Sequence, residues 1–282
     1  MGTAHGCLHA GQPAGSRHLY RPAASGRPIL HEIRNPLMQP APTRHLPIKG
    51  TYNVRDLGGY ATSGGQTRWR RLLRADALHR LDEEGVETML ASGITTVIDL
   101  RHGDELTHQP NPFNGHTAVI YHNISLLDGL APAQMDEGDV LLELYKLALM
   151  RRQPALAQVL RIIADAPPGA VLFHCTAGKD RTGIVAALLL GIAGVEPALI
   201  VEDYALTARL IAPIVADITA GAVARGADPA SFQRLLASEP ATMAATLAFI
   251  TAEFGSIAAY IERIGLTPIT IERLRNRLVG EF

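Results

Sequence analysis

Cys175 and Arg181 stand six positions apart in the stretch HCTAGKDRTG, residues 174–183. The β-branched, apolar run before it reads as a strand, and residues 180–195 after it read as a buried helix. A loop that enters a helix N-terminus presents unbonded N–H groups and a partial positive charge, which suits a phosphate. Ala177 and Gly178 are small enough for the backbone to curl into an anion nest. A thiol at the bottom of such a nest ionises more readily, because the dipole and the nearby cations favour the thiolate. Arg181 can hold two phosphoryl oxygens at once. Attack of Cys175 on phosphorus, followed by hydrolysis of a phosphocysteine, is the chemistry this spacing allows. The bland reading of Cys175 alone is a buried, inert thiol; the pair with Arg181 argues against it.

A nucleotide-binding loop of the Walker type is the first rival. It requires Gly-x-x-x-x-Gly-Lys followed by Ser or Thr. Here Phe173 stands five before Gly178, and Asp180 follows Lys179, so both tests fail. Thr182 is placed for its hydroxyl to bond the sulfur and help it leave. His174 is read either as orienting the loop through backbone groups or as a satisfied core histidine. Together His174, Thr176, Ala177, Gly178, Lys179, Asp180, Arg181 and Thr182 make up the expected phosphate-holding shell.

The loop needs a scaffold. NVRDLGGY (53–60) contains a Gly-Gly turn, and residues 63–76 read as a hairpin turn and a strand ending near Ala75. Residues 82–93 read as a helix with Asp82 as N-cap and Gly93 as its stop. ITTVIDLR (94–101), residues 116–124 and AVLFHC (170–175) read as strands, and residues 139–152 and 154–166 as helices. Strands alternating with helices predict an α/β fold of three layers around a mostly parallel sheet. Ligands of such sheets sit beyond the carboxyl ends of the strands, where the loop lies. From Pro197 to Leu278 the pattern is almost all helical, broken near Pro213, Gly226–Pro229, Pro240 and Gly265. Arg55 and Asp56, and likewise Arg74 and Asp76, are expected to form buried bonds that brace the sheet near the loop. Glu202-Asp203-Tyr204 reads as lining the pocket or as a solvated helix face.

The chain of 282 residues is 47% hydrophobic and carries 26 Lys and Arg against 27 Asp and Glu, for a net charge of −1. That balance gives no reason to expect nucleic acid or an anionic membrane as a partner. Two cysteines, Cys7 and Cys175, exclude a disulfide scaffold and a multi-cysteine metal site. No metal and no cofactor is expected. No window of about 18 apolar residues is read as a membrane helix, and no secretory signal is seen, so a cytoplasmic location is expected, with non-standard export as the alternative. Residues 1–44, rich in Gly, Pro, His and Arg, read as a disordered leader, and 45–282 as a single domain.

The loop resembles that of the cysteine-dependent phosphatases with a His-Cys-x-x-Gly-x-x-Arg-Ser/Thr-Gly signature. Within them it is similar to the atypical bacterial branch of tyrosine phosphatases that also act on phosphoserine, phosphothreonine and phosphoinositides. NVRDLGG, LLRAD and TVIDLR follow in that branch's order, and the resemblance covers residues 45–210. It implies Cys175 as nucleophile, Arg181 as phosphate clamp, and a helical lid, here over residues 201–263. It implies that Lys179 adds charge at the pocket mouth and favours polyanionic substrates. For the general acid, Asp180 is placed first and Asp99 second, followed by Asp128, Asp136 and Asp139. The resemblance implies phosphorylated proteins or phosphoinositides as partners in turnover. The rival functions are an inositol polyphosphate or pyrophosphate phosphatase and a catalytically inactive phosphate-binding adaptor.

Overall fold

The computed structural model describes residues 42–127, 139–224, 226 and 228–280. Most of the expected leader, and Asp128 and Asp136, lie outside the described residues. In chain order the strands are β1 (Arg55–Asp56), β2 (Ala61–Thr62), β3 (Gly65–Gln66), β4 (Leu72–Ala75), β5 (Ile94–Asp99), β6 (Ile120–Asn123) and β7 (Ala170–His174). Five of them form one sheet in the order β1-β4-β7-β5-β6. All neighbours in it are parallel except β1, which runs antiparallel to β4. β2 and β3 form a separate hairpin. This is the mostly parallel α/β sheet that the strand–helix alternation predicts, with β7 at its centre.

β7 shows why the centre is buried on both sides. Successive side chains point to opposite faces of a strand. Ala170 and Leu172 join a core with Leu46, Val54, Met89 and Phe113. Val171 and Phe173 join a much larger core with helices. The first face is closed by α1 (Glu83–Ala91), which packs on β5. Asp82 caps α1 by accepting from the Gly85 N–H at 2.9 Å, and Gly93 ends it at φ 88°. A second helix, α2 (Gly103–His108), falls where the sequence pattern assigns no element.

The second face is closed by α3 (Val140–Arg151), α4 (Gln153–Asp165) and α5 (Asp180–Ile192), the last buried almost all round. Then come α6 (Pro197–Ile211), a 3₁₀ turn (Ala212–Ile214), α7 (Val215–Ala224), α8 (Pro229–Leu236), α9 (Pro240–Phe254), α10 (Ile257–Arg263) and α11 (Pro268–Leu278). The expected lid over 201–263 shrinks here. Tyr204, Met243, Leu247, Ile250, Tyr260 and Ile261 are buried in the same cluster as Phe173, so α6, α9 and α10 belong to the core. Only the α7–α8 segment stays at its edge, beginning from a small separate cluster of Ile211, Ile214 and Ala177. The helical run Pro197–Ala224 is long and apolar enough to cross a membrane by length and composition, a length the sequence reading does not find. Its α6 half is tied to the sheet by charged bonds, as follows.

Candidate active site

Residues 175–181 lie at the carboxyl end of β7, between β4 and β5, and run into the N-terminus of α5. Every carbonyl from Cys175 to Lys179 has a donor. His174 Nδ1 lies 3.2 Å from the Cys175 oxygen, and the Ala77 N–H bonds the Thr176 oxygen at 3.0 Å. Asn53 Nδ2 donates to Ala177 at 2.9 Å and to Gly178 at 3.2 Å. Arg74 Nη2 donates to Gly178 at 2.8 Å, and the Gly183 N–H to Lys179 at 2.7 Å. The N–H groups of Thr176, Ala177, Gly178, Lys179, Asp180 and Arg181 have no acceptor among the described residues. A loop whose carbonyls are all engaged on one side keeps its donors for an anion on the other. Gly178 makes this possible: its φ is 66°, and a Cβ there would stand 2.5 Å from the Ala75 oxygen. Cys175 sits in the loop 2% exposed.

The braces come from the motifs that precede the loop. Asp203 of α6 binds Arg55 Nε at 3.1 Å, Arg74 Nη1, and the Tyr60 hydroxyl at 2.9 Å. Arg55 also donates to the Asp203 carbonyl at 2.8 Å and the Thr207 hydroxyl at 2.9 Å. All of these groups are buried. Burial opposes the charge on Asp203, but Arg55 and Arg74 hold its carboxyl down at about 2. Burial, then the neighbouring Arg74, push Arg55 down to about 10, which leaves it charged at neutral pH. Asp76 accepts the N–H groups of Tyr52 and Asn53 and so fixes the residue that grips the loop. Asp56 accepts from the N–H of Gly58 at 2.8 Å and of Arg70 at 2.8 Å, holding the turn.

On the other flank Asp99 is fully engaged. Its carboxylate takes Arg101 Nε at 2.9 Å and Nη2 at 2.7 Å, Asn111 Nδ2 at 3.0 Å and the Tyr121 hydroxyl at 3.2 Å. His174 Nε2 stands 3.2 Å from it. Burial works against its ionisation, yet His174 and Arg101 hold the carboxyl far below the usual range. Asp99 thus stands behind the loop, fixing His174, rather than over it.

Asp180 has a different setting. Its Oδ1 accepts the Tyr145 hydroxyl at 2.5 Å, and Tyr204 backs Tyr145 at 2.8 Å. Burial, then the Asp180 charge, raise Tyr145 well above the ordinary phenol range. Lys179 Nζ lies 3.2 Å from the same oxygen. Lys179 does not line a pocket mouth. It is fully buried and donates to the carbonyls of Leu235 and, at 2.8 Å, Ala237 at the end of α8. The helix terminus supplies the partial negative charge that takes up the cation. The Thr182 hydroxyl is buried without a partner among the described residues. Asp139 caps α3 and accepts the Thr242 hydroxyl at 2.9 Å.

Arg181 is met by a residue that motif reading passes over. Glu105 of α2 accepts Nη1 at 2.5 Å and Nη2 at 2.9 Å, and also the Thr176 hydroxyl. Burial opposes its charge, but Arg181 holds the Glu105 carboxyl down to about 2. The same bonds outweigh burial and raise Arg181 above its ordinary value. A cavity of about 390 Å³ opens beside Thr176, between α2, the His79–Arg80 corner and α7, which contributes Asp217 and Ile218. Burial, then Arg80, lower His79 there to about 4. Among the described residues no group of three His, Cys, Asp or Glu is placed to hold a metal ion.

The sequence profile of the family described as "Tyrosine phosphatase family" matches residues 46–280. A tyrosine-protein phosphatase of Nostoc commune is 35% identical over 218 residues, covering 73% of each chain. The triple specificity protein phosphatase PtpB of Mycobacterium tuberculosis is 28% identical over 290 residues, covering 84% of this chain and 99% of PtpB. The solved structure of P. aeruginosa TpbA shares 20% identity over 60% of this chain and 88% of its own, with a TM-score of 0.34. The chain belongs to the tyrosine phosphatase family.

Proposed function

We propose that this phosphatase hydrolyses phosphomonoesters, phosphotyrosine foremost, through a phosphocysteine at Cys175. One observation carries the reading: a loop with every carbonyl from 175 to 179 bonded and no N–H from 176 to 181 bonded among the described residues, wrapped around a cysteine and ending in an arginine. Three phosphoryl oxygens would take those N–H groups and the Arg181 guanidinium. The Cys175 thiolate forms the S–P bond as the ester P–O bond breaks, and the leaving oxygen takes a proton. Water then attacks phosphorus, the S–P bond breaks, and the thiolate and inorganic phosphate are released. The unpartnered Thr182 hydroxyl is available to bond the departing sulfur.

Of the two leading candidates for the acid, Asp180 fits better. Its Oδ2 makes no bond to the described residues, whereas Asp99 is saturated and fully buried. Proton donation matters most for poor leaving groups. Asp180→Asn should therefore slow an alkyl phosphate or phosphotyrosine about 10²-fold or more and p-nitrophenyl phosphate far less. Asp99→Asn should slow both alike, by loosening His174. If neither variant shows leaving-group dependence, the acid is another group, and Asp128→Asn in the same series identifies it or excludes it.

The substrate range extends to phosphoserine and phosphothreonine in this reading, supported by the name of the Mycobacterium tuberculosis relative. Phosphoinositides draw support from that resemblance alone, since Lys179 is occupied by α8. The α7–α8 segment, whose Asp217 and Ile218 wall the cavity, is the part left to act as a cover. Initial rates on a panel of phosphopeptides and phosphoinositides, with and without EDTA, test the range. Equal rates with EDTA are expected; turnover of phosphoinositides alone would refute the phosphotyrosine assignment.

A further inference from the structure

Asp180 is gripped on one oxygen by two donors that come from different directions. Tyr145 of α3 donates its hydroxyl to Oδ1 at 2.5 Å, and Lys179 Nζ stands 3.2 Å from the same atom. The tyrosine is itself backed. Its hydroxyl lies 2.8 Å from that of Tyr204 of α6, and the two rings meet edge to face with their centroids 6.2 Å apart. Both tyrosines are buried. Three helices, α3, α5 and α6, thus meet at one carboxylate oxygen. Two explanations compete. Tyr145 either satisfies its own buried hydroxyl or sets the carboxyl for proton transfer. The first needs only one partner, and Tyr204 is already that partner. The surroundings of Oδ1 carry the second. A phenol has one proton to give, and a hydroxyl and a cation both aimed at Oδ1 keep any further proton off that atom. A protonated Asp180 therefore carries its proton on Oδ2, which has no bond to the described residues. The side chain is 24% exposed, so that edge is open to a leaving group. Tyr145 does not compete as an acid, because burial and then the Asp180 charge hold its phenol well above the ordinary range.

We propose that Tyr145, backed by Tyr204, is a positioning residue for proton donation: it holds Oδ1 of Asp180 so that the proton sits on Oδ2, facing the leaving oxygen. This rests on the reading of Asp180 as the acid. It makes α3 and α6 working parts of the site, although neither tyrosine takes part in bond making. Alignment of a reacting group to within about 1 Å is worth up to about 10²-fold in rate.

The test is steady-state kinetics of Tyr145→Phe, Asp180→Asn and the double variant on a phosphotyrosine peptide and on p-nitrophenyl phosphate. Tyr145→Phe should lower kcat about 10- to 100-fold on the peptide and much less on p-nitrophenyl phosphate, where proton donation matters least. Added to Asp180→Asn it should cost almost nothing more on the peptide, because groups that act through one another are not additive. Tyr204→Phe, which leaves the bond from Tyr145 in place, should show the same pattern in weaker form. Equal losses on both substrates would overturn the proposal, since a merely structural tyrosine disturbs the loop whatever the leaving group. Wild-type rates on both substrates would overturn it as well, and so would a double variant in which the two losses multiply. If Tyr145→Phe does not fold, Tyr204→Phe decides by the same criterion. Asp180→Asn alone separates the two levels. If it shows the leaving-group dependence and Tyr145→Phe does not, only the role of Tyr145 fails; if it shows none, the reading of Asp180 as the acid fails and takes the proposal with it.

Discussion

The phosphate loop and the α7–α8 segment beside it are held in opposite ways. The loop is bonded from three directions, by Asn53 and Arg74, by His174 with Asp99 behind it, and by Glu105. Its supports are buried charges with several partners each. The segment rests on a few apolar side chains around Ile214, on Leu235, which is partly buried against the main core, and on Lys179 at the end of α8. Buried polar networks that are fully satisfied rigidify what they hold, whereas segments with few buried contacts open at low free energy. The chain thus makes stiff the part that must fit a phosphate and leaves loose the part that bounds the cavity.

The contrast breaks most severely at Asp203. Asp203→Asn or Arg74→Met leaves a buried charge without its partner, and each should cost about 3–5 kcal/mol of global stability, read by chemical denaturation. A cost below about 1 kcal/mol, the range of surface pairs, would mean that these charges do not stiffen the loop.

Acid should attack the same brace. The Asp203 carboxyl is held at about 2 in the fold, below its unfolded value near 3.9. A depressed carboxyl contributes stability above its unfolded value and loses it as pH falls toward the folded one. Between about pH 4 and pH 2 roughly 2–3 kcal/mol should be lost at this group, and Asp203→Asn should lose correspondingly less over that window. Equal acid profiles for the two proteins would place the sensitivity elsewhere.

The smallest effect is expected at Lys179. Lys179→Met removes two carbonyl bonds and the contact with Asp180 but keeps an apolar group of similar length, and it should change global stability by about 1–2 kcal/mol. Amide exchange should rise over 229–236 while β7 and the body of α5, whose amides are hydrogen-bonded on either side of the loop, stay protected. Faster exchange in β7 and α5 as well would show that the two regions are one cooperative unit.

The sequence announces these regions unequally. β5 and β7 are read correctly because buried parallel strands are short apolar runs, and α1 because its cap Asp82 marks it. The loop is legible because its chemistry needs Cys175, Gly178 and Arg181 at fixed spacing. α2 is not: six residues, GDELTH, carry no apolar periodicity, and its Glu105 acts through partners 71 and 76 positions away. Asp203 looks like a helix-surface charge until the fold brings Arg55 and Arg74 to it, 148 and 129 positions distant. Lys179 reads as exposed because its acceptors are backbone carbonyls, which leave no mark in side-chain chemistry. Burial of α9 and α10 in the core is hidden for a related reason: an Ala-rich apolar face looks the same whether it packs permanently or only covers a site.

The most direct test of the whole account is to map the phosphoryl group on the enzyme during turnover. Wild-type protein saturated with p-nitrophenyl phosphate is quenched in acid and digested, and the peptides are weighed. The account predicts the added phosphoryl mass on the peptide containing Cys175, on the sulfur itself, and its absence from the same peptide of Cys175→Ser. A phosphoryl group on His174, on an aspartate or on any other residue would contradict it.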